Sequence, residues 1–416
     1  MKLQEGVNLH FIPSDKFTTN QIKIRFTAPM DKKTVANRVL VANMLEMGNQ
    51  DYPTNQEFRW KLAELYGATL STSVSKRGRV HMVDISVSFI KENYLFYQEN
   101  LTKEILDLLV STLQKPLGKN GVFQKEIFEI EKKNLISYLE SEVEDNFYHA
   151  DVELNKLYFQ EEALQIPRVS NLELVEDITA KSAYQALQNM LKLDRIDIFV
   201  LGEVDKELTI EAFRKLAFTY RNPKLEFEYH QTFSPVLREK SERKFAKQSI
   251  LELAYNLQVL YKDEHYYALL LLNGLFGAFS HSRLFTQLRE KDGLAYTIGS
   301  QLNIFSGMLK VYAGIDRDNR LKTLKGIHRE LLRLKQGQFS EEELELTKKM
   351  YLHSAQVSQD KGRTLIEQVF NQVILGKRHI SVEEFMDKIS QVKKEDIVKV
   401  SQLIRLQAVY FMEGVE

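Results

Sequence analysis

The stretch Ser282-Arg-Leu-Phe-Thr-Gln-Leu-Arg-Glu-Lys-Asp-Gly-Leu-Ala-Tyr296 is the most informative segment of this 416-residue chain. A helix predicted over its first part ends at Gly293, because glycine favours the position just past the last helical turn. Residues from Ala295 onward alternate between apolar and polar, which predicts a strand. The segment therefore predicts a helix–strand junction that carries two donor side chains, Arg289 and Tyr296.

This helix pattern also occurs in the first half of the chain, so the sequence contains an internal repeat. Three pairs of segments match in the same order at a nearly constant offset: Phe123–Lys133 with Phe339–Lys349, Phe58–Gly67 with Leu284–Gly293, and Val175–Ile178 with Ile389–Val392. Amphipathic helices that align by period alone are the alternative explanation. The constant order favours a duplicated unit of α helices and β strands.

The predicted fold class is α+β, with two homologous domains in tandem. Each is expected to contain an antiparallel-rich β-sheet backed by helices. The N-terminal domain is predicted at 1–218 and the C-terminal domain at 236–416. A proline-containing linker is predicted at 219–235. Long amphipathic helices are predicted at about 124–160 and 340–377.

Composition excludes several classes of function. Lys plus Arg and Asp plus Glu both number 57, so no net charge favours nucleic acid or an anionic membrane. Two short charge runs, 76–79 and 238–244, are interpreted as solvated turns. There are no cysteines, so disulfides and thiolate sites are excluded. Without an apolar run long enough to span a bilayer, we expect no membrane insertion and a cytoplasmic location.

The pattern S-R-L-F-x-x-L-R-E-K-x-G-L-A-Y closely resembles the second-half signature of the insulinase/pitrilysin (inverzincin) family of zinc peptidases. The resemblance implies an insulinase-like half-clamshell, in which Arg289 and Tyr296 contact a bound peptide near the scissile bond. Donors placed there can stabilise a developing oxyanion. The local alternative is that Arg289 pairs with an acid such as Asp292, while Tyr296 packs in a hydrophobic hairpin.

The zinc motif of this family has no counterpart with the same chemistry in this chain. Active members carry H-x-x-E-H on a first-half helix, and the resemblance places Val39, Ala42 and Asn43 at those His, Glu and His positions. Valine and alanine cannot bind a metal, and a neutral amide is a poor zinc ligand. Ser137 or Tyr138 falls where a later glutamate ligand is expected. The resemblance therefore implies no metal ligand and no cofactor in this chain.

A second candidate surface is the predicted strand that contains Ser71, Thr72, Ser73 and Val74. It resembles the family's G-G-x-x-N-A-x-T strand, whose exposed edge pairs with an extended substrate peptide. An edge strand offers main-chain hydrogen bonds that depend little on side-chain identity. The alternative is a hairpin strand with a polar outer face.

These features suggest a zinc-less subunit like those of paired bacterial insulinase-family peptidases. Such a subunit would form a heterodimer with an H-x-x-E-H-bearing paralogue, which holds the zinc, and would supply Arg289 and Tyr296 in trans. The chain alone would not be a peptidase, and isolated chains could form a homodimer. Two alternatives stay open, a structural scaffold and a peptide-binding accessory linked to modification of elongation factor P. An intact enzyme would need a site that the sequence does not display.

Overall fold

The computed structural model describes residues 1–95, 100–259, 261, 263–376 and 380–415, which form two compact units. The first unit is built on a sheet with the strand order β1-β2-β8-β3-β5-β4. These strands, with the small hairpin β6–β7, are β1 (Lys2–Gln4), β2 (Val7–Ile12), β3 (Thr19–Pro29), β4 (Thr69–Arg77), β5 (Val80–Ile90), β6 (Gly118–Lys119), β7 (Val122–Phe123) and β8 (Arg195–Leu201).

The helices of the first half of the chain follow and separate these strands. They are α1 (Val35–Met47), α2 (Asn55–Glu64), α3 (Leu101–Gln114), α4 (Lys125–Glu144), α5 (Asn146–Tyr158), α6 (Glu162–Gln165), α7 (Leu172–Glu176), α8 (Ala180–Leu193) and α9 (Lys206–Arg214). A short 3₁₀ turn covers Glu92–Tyr94. The predicted linker, 219–235, lies between α9 and the first strand of the second half.

The second unit contains a sheet with the order β11-β12-β10-β13-β9. Its strands are β9 (Arg238–Phe245), β10 (Ser249–Asn256), β11 (Ala295–Asn303), β12 (Met308–Ile315) and β13 (Arg405–Val415). The second-half helices are α10 (Tyr266–Asn273), two π-helical segments (Gly274–Ala278 and Leu284–Lys291), α11 (Arg320–Lys335), α12 (Glu341–Ser358), α13 (Gly362–Leu375), α14 (Val382–Gln391) and α15 (Lys394–Gln402). Short 3₁₀ turns cover Ile304–Ser306 and Arg317–Asn319.

The two sheets have the same topology, which confirms the predicted α+β fold with a duplicated unit. The order β2-β8-β3-β5-β4 in the first sheet corresponds to β9-β13-β10-β12-β11 in the second. The pairs β2–β8 and β9–β13 are parallel, and the remaining neighbours in these two orders are antiparallel. Identical pairing at every position is not expected from helical periodicity alone. The repeat therefore reflects one fold formed twice.

The predicted helices at 124–160 and 340–377 are wrong as continuous helices, because each is divided in two. The first predicted helix is divided at Asp145, between α4 and α5. The Asp145 carboxylate accepts hydrogen bonds from the backbone N–H groups of Phe147 and Tyr148 at 2.8 and 3.1 Å and so caps the start of α5. The second is interrupted between α12 and α13. Residue 377, its predicted end, lies outside the described residues.

The compact units do not follow the chain contiguously, since each contains a helix from the other half. Helix α5 belongs to the second unit and packs on β10 and β13, whereas α13 belongs to the first unit and packs on β2 and β8. Ala150 and Leu154 of α5 are fully buried in this contact. The bounds 1–218 and 236–416 therefore stay a prediction about the two repeats.

One of the two charge runs interpreted as solvated turns is instead a strand. Residues 238–244 fall in β9, which pairs in parallel with β13, and its side chains alternate between half-buried and exposed. The backbone of β13 supplies the hydrogen bonds that the charge pattern alone did not predict. The run 76–79 does contain a turn, at Gly78, where φ is +54°. Among the described residues, no helix combines the length and apolarity needed to cross a membrane.

Candidate functional site

Arg289 lies on a π-helical segment that packs directly against β11 in the second unit. The backbone N–H of Asp292 donates to the carbonyl of Gln287 at 2.9 Å, which is the five-residue spacing of π winding. Buried Leu288 fixes the segment to the core, while Arg289 is exposed. The Arg289 guanidinium lies 4.7 Å from the centre of the Phe285 ring, a cation–π contact that orients it.

Tyr296 lies on β11, an edge strand of the second sheet, and the residue is 62% exposed. The pairing of β11 with β12 shifts register between Ala295 and Thr297, so Tyr296 occupies a β-bulge. Bulges redirect side chains and occur often beside active sites. The Tyr296 hydroxyl donates to Asp316 Oδ1 at 3.0 Å, and this hydrogen bond raises the pKa of the phenol. The hydrogen bond therefore orients the phenol and favours its protonated form.

The local alternative for this pair is not what the structure contains. The Asp292 carboxylate accepts a hydrogen bond from Arg329 Nη2 at 3.0 Å, so its partner is Arg329. Tyr296 is at the surface of its hairpin. Both Arg289 and Tyr296 are accessible within the second unit. Their approach to each other and their contact with a peptide stay predictions.

The positions assigned to the family's zinc motif lie on α1. Val39 and Ala42 are buried in the hydrophobic core of the first unit, and Asn43 is half-buried. Apolar side chains at these positions pack against the sheet instead of offering ligands. Within the described ranges, no group of three or more His, Asp or Glu side chains is placed to hold a metal ion.

Sequence reasoning missed two carboxylates close to these positions, Glu46 and Glu131. Ser137 and Tyr138 of α4 are exposed, whereas Glu131 is buried. Burial raises the pKa of the Glu131 carboxyl, and the charge of Glu46 adds to this effect. Glu131 lies on the same stripe of α4 as buried Phe128, Leu135 and Leu139. An acid within such a helical stripe was the signal that could have revealed it.

The strand that contains Ser71, Thr72, Ser73 and Val74 is β4, which forms one edge of the first sheet. Ser71 and Ser73 are exposed, and Thr72 and Val74 are half-buried. Among the described strands, β4 pairs with β5 alone, so its other side is not paired with a strand. Pairing of this edge with a peptide stays a prediction.

Comparison with known proteins gives a consistent set of relatives. The sequence profile of the peptidase M16 inactive domain matches residues 177–351. The chain is 29% identical to a probable inactive metalloprotease of Bacillus subtilis, YmfF, over 99% of this chain and 96% of the relative. It is 26% identical to an uncharacterized zinc protease of the same organism, YmxG, over 59% of each chain. The crystal structure of a conserved protein from Enterococcus faecalis has 35% identity and a TM-score of 0.96, covering 100% of this chain and 98% of that one.

Proposed function

Since this chain belongs to the M16 (insulinase/pitrilysin) peptidase family and lacks that family's zinc motif, we propose that it is the non-catalytic subunit of a heterodimeric metallopeptidase. In this role it binds a peptide and supplies Arg289 and Tyr296 to a zinc-bearing paralogue. The zinc, held by the H-x-x-E-H motif of the partner, would activate the attacking water. This chain contributes two hydrogen-bond donors, Arg289 and Tyr296, and the peptide-binding edge of β4.

The observation that carries the proposal is the arrangement of Tyr296 and Arg289. A bulge at an edge strand presents Tyr296, and the hydrogen bond to Asp316 orients its phenol and raises the pKa of that phenol. The preceding helical segment, packed on the same strand, presents an exposed guanidinium. When a peptide carbonyl oxygen replaces Asp316 as the acceptor of the Tyr296 hydroxyl, the phenol and the guanidinium together can stabilise negative charge on that oxygen.

Two further observations support peptide binding by this chain and its pairing with a zinc-bearing partner. The edge of β4 that faces away from β5 pairs with no other described strand, and such an edge can accept an extended peptide. Bacillus subtilis contains one similar protein described as probably inactive and another described as a zinc protease. Two relatives of this chain with these different descriptions thus occur in one organism, which supports the proposal of a paired peptidase.

The test is reconstitution with an H-x-x-E-H paralogue encoded in the same genome, scored for assembly and for kcat/KM. Arg289→Ala and Tyr296→Phe should each lower kcat/KM by about 10²–10³, the scale for losing one oxyanion donor, with assembly unchanged. Lys291→Ala is the matched control, because Lys291 is an exposed cation on the same segment.

Full activity of the double variant would contradict the proposal. It would leave only the scaffold role, which predicts that the pair can be replaced without effect. Loss of assembly would instead make the pair structural.

A further inference from the structure

Glu46, in the last turn of α1, is bound to the edge strand β4. Its Oε2 atom accepts hydrogen bonds from both the backbone N–H and the hydroxyl of Thr72, each at 3.0 Å. Its Oε1 atom lies 3.4 Å from the guanidinium of Arg59 on α2. Both oxygens of this carboxylate are therefore engaged at the edge of the sheet.

The position of this contact follows from the pairing of the strands. In an antiparallel ladder, alternate residues direct both backbone groups away from the neighbouring strand. Since the Thr72 N–H is bound by Glu46, Thr72 is one of these outward-directed residues, and Leu70, Val74 and Lys76 share its direction. The Glu46 carboxylate thus takes the place of the carbonyl that an added strand would present to Thr72.

From this geometry we infer that Glu46 is an intramolecular cap of the β4 edge, which an incoming peptide strand must displace. The inference rests on the proposed function, because it concerns the same peptide-binding edge. A hydrogen bond to a charged acceptor is stronger than one between neutral groups. The cap therefore sets a threshold: only a peptide that forms several main-chain bonds along β4 replaces it, and short or poorly extended segments do not.

The cap itself is tested by hydrogen–deuterium exchange read by mass spectrometry over residues 70–76. Thr72 should contribute a protected amide in the full chain, although it lies on an edge strand. Glu46→Ala should convert about one amide of this segment to fast exchange. Unchanged exchange would overturn the inference, because the Thr72 N–H would then be protected by something else.

The effect on binding is tested with a fluorescein-labelled peptide of alternating Thr and Val. A second copy, N-methylated at every other residue, lacks the N–H groups that strand pairing requires. Glu46→Ala should bind the first peptide about tenfold more tightly than the unmodified protein does, the order expected for removing one charge-assisted competitor. It should not bind the N-methylated copy. Glu104→Ala, which removes an exposed acid paired with Lys61, is the control and should bind as the unmodified protein does.

The outcomes separate this inference from the proposed function. Equal affinity of Glu46→Ala and the unmodified protein, with binding still sensitive to N-methylation, would overturn the cap and leave the peptide-binding role standing. Absence of binding to every variant would overturn both the cap and peptide addition at β4. The role of Arg289 and Tyr296 is judged separately, by reconstitution.

Discussion

Arg25 of β3 donates hydrogen bonds to Glu367 of α13, although the two residues are 342 positions apart in the chain. Arg25 also forms two hydrogen bonds of 2.7 Å to Asp84 of β5, and Arg77 donates to Glu367 at 3.1 Å. This buried network fixes a second-half helix to the first-half sheet. Side chains on α5 make comparable ion pairs in the second unit, where Asp151 binds Lys310. Helices α5 and α13, which each pack on the sheet of the other half of the chain, are therefore held by ion pairs as well as by apolar packing.

Replacement of Glu367 should destabilise the first unit. Glu367→Ala leaves Arg25 buried with one of its two carboxylate partners removed, and we expect a loss of about 2–3 kcal/mol in the free energy of unfolding. Glu64→Ala, which removes an exposed acid, should cost less than about 0.5 kcal/mol. Urea unfolding measures both, and equal losses would show that the network does not hold α13.

The same residue should make stability depend on acid pH. Burial opposes ionisation of Glu367, but hydrogen bonds from Arg25 outweigh it and lower the pKa to about 2 from 4.5. A lowered pKa in the folded state stabilises the protein above pH 4.5, and this contribution is lost as the pH falls through 2. The stability difference between the natural protein and Glu367→Gln should therefore shrink between pH 5 and pH 2. A difference that stays constant with pH would contradict this assignment.

Glu252 of β10 should have the opposite pH dependence. It is buried, its Oε2 atom has no partner among the described residues, and burial raises its pKa to about 8 although Lys310 opposes the shift. The folded state thus favours the protonated carboxyl, and this stabilisation is lost as the pH rises from 4.5 through 8. Glu252→Gln should raise the Tm by about 2–4 °C at pH 8.5 and by less at pH 5. Glu264→Gln, at an exposed site, is the control.

Asp316 should control the ionisation of Tyr296. The hydrogen bond from the phenol to Asp316 raises the pKa of Tyr296, so Asp316→Asn should lower it toward the ordinary value of 10. The absorbance change near 295 nm on alkaline titration, with Tyr296→Phe subtracted, isolates this one phenol. In the reconstituted peptidase, Asp316→Asn should reduce kcat/KM less than Tyr296→Phe does. An unchanged titration would mean that Asp316 does not position the phenol.

The purified chain should bind no stoichiometric zinc and cleave no peptide without a partner. Val39 and Ala42 offer no ligand atoms, and Asn43 is a weak ligand. Metal analysis after dialysis and a peptide-cleavage assay with and without a chelator measure both properties. One zinc per chain together with chelator-sensitive cleavage would contradict the assignment of these three positions.

The sequence alone determined the alternating strands, the repeat and the helix–strand junction at Gly293, because alternation, helical period and turn residues are local properties of the chain. The predicted strand that contains Ser71 to Val74 falls within β4, and the strand predicted from Ala295 onward is β11. Local patterning also placed Arg289 and Tyr296 on either side of that junction. It did not reveal β9, whose charged residues become a strand only because β13 lies beside them.

Only the tertiary structure decided which elements meet. An amphipathic helix shows in its sequence that one face is buried, but not which sheet buries it, so the exchange of α5 and α13 could not be read from periodicity. The contacts of Arg25 with Glu367 and of Glu46 with Thr72 join residues whose separation carries no local signal. A carboxylate on a helix is equally compatible with solvent and with a strand edge until the chain folds. The path of the backbone then fixes which polar groups lie within hydrogen-bond distance.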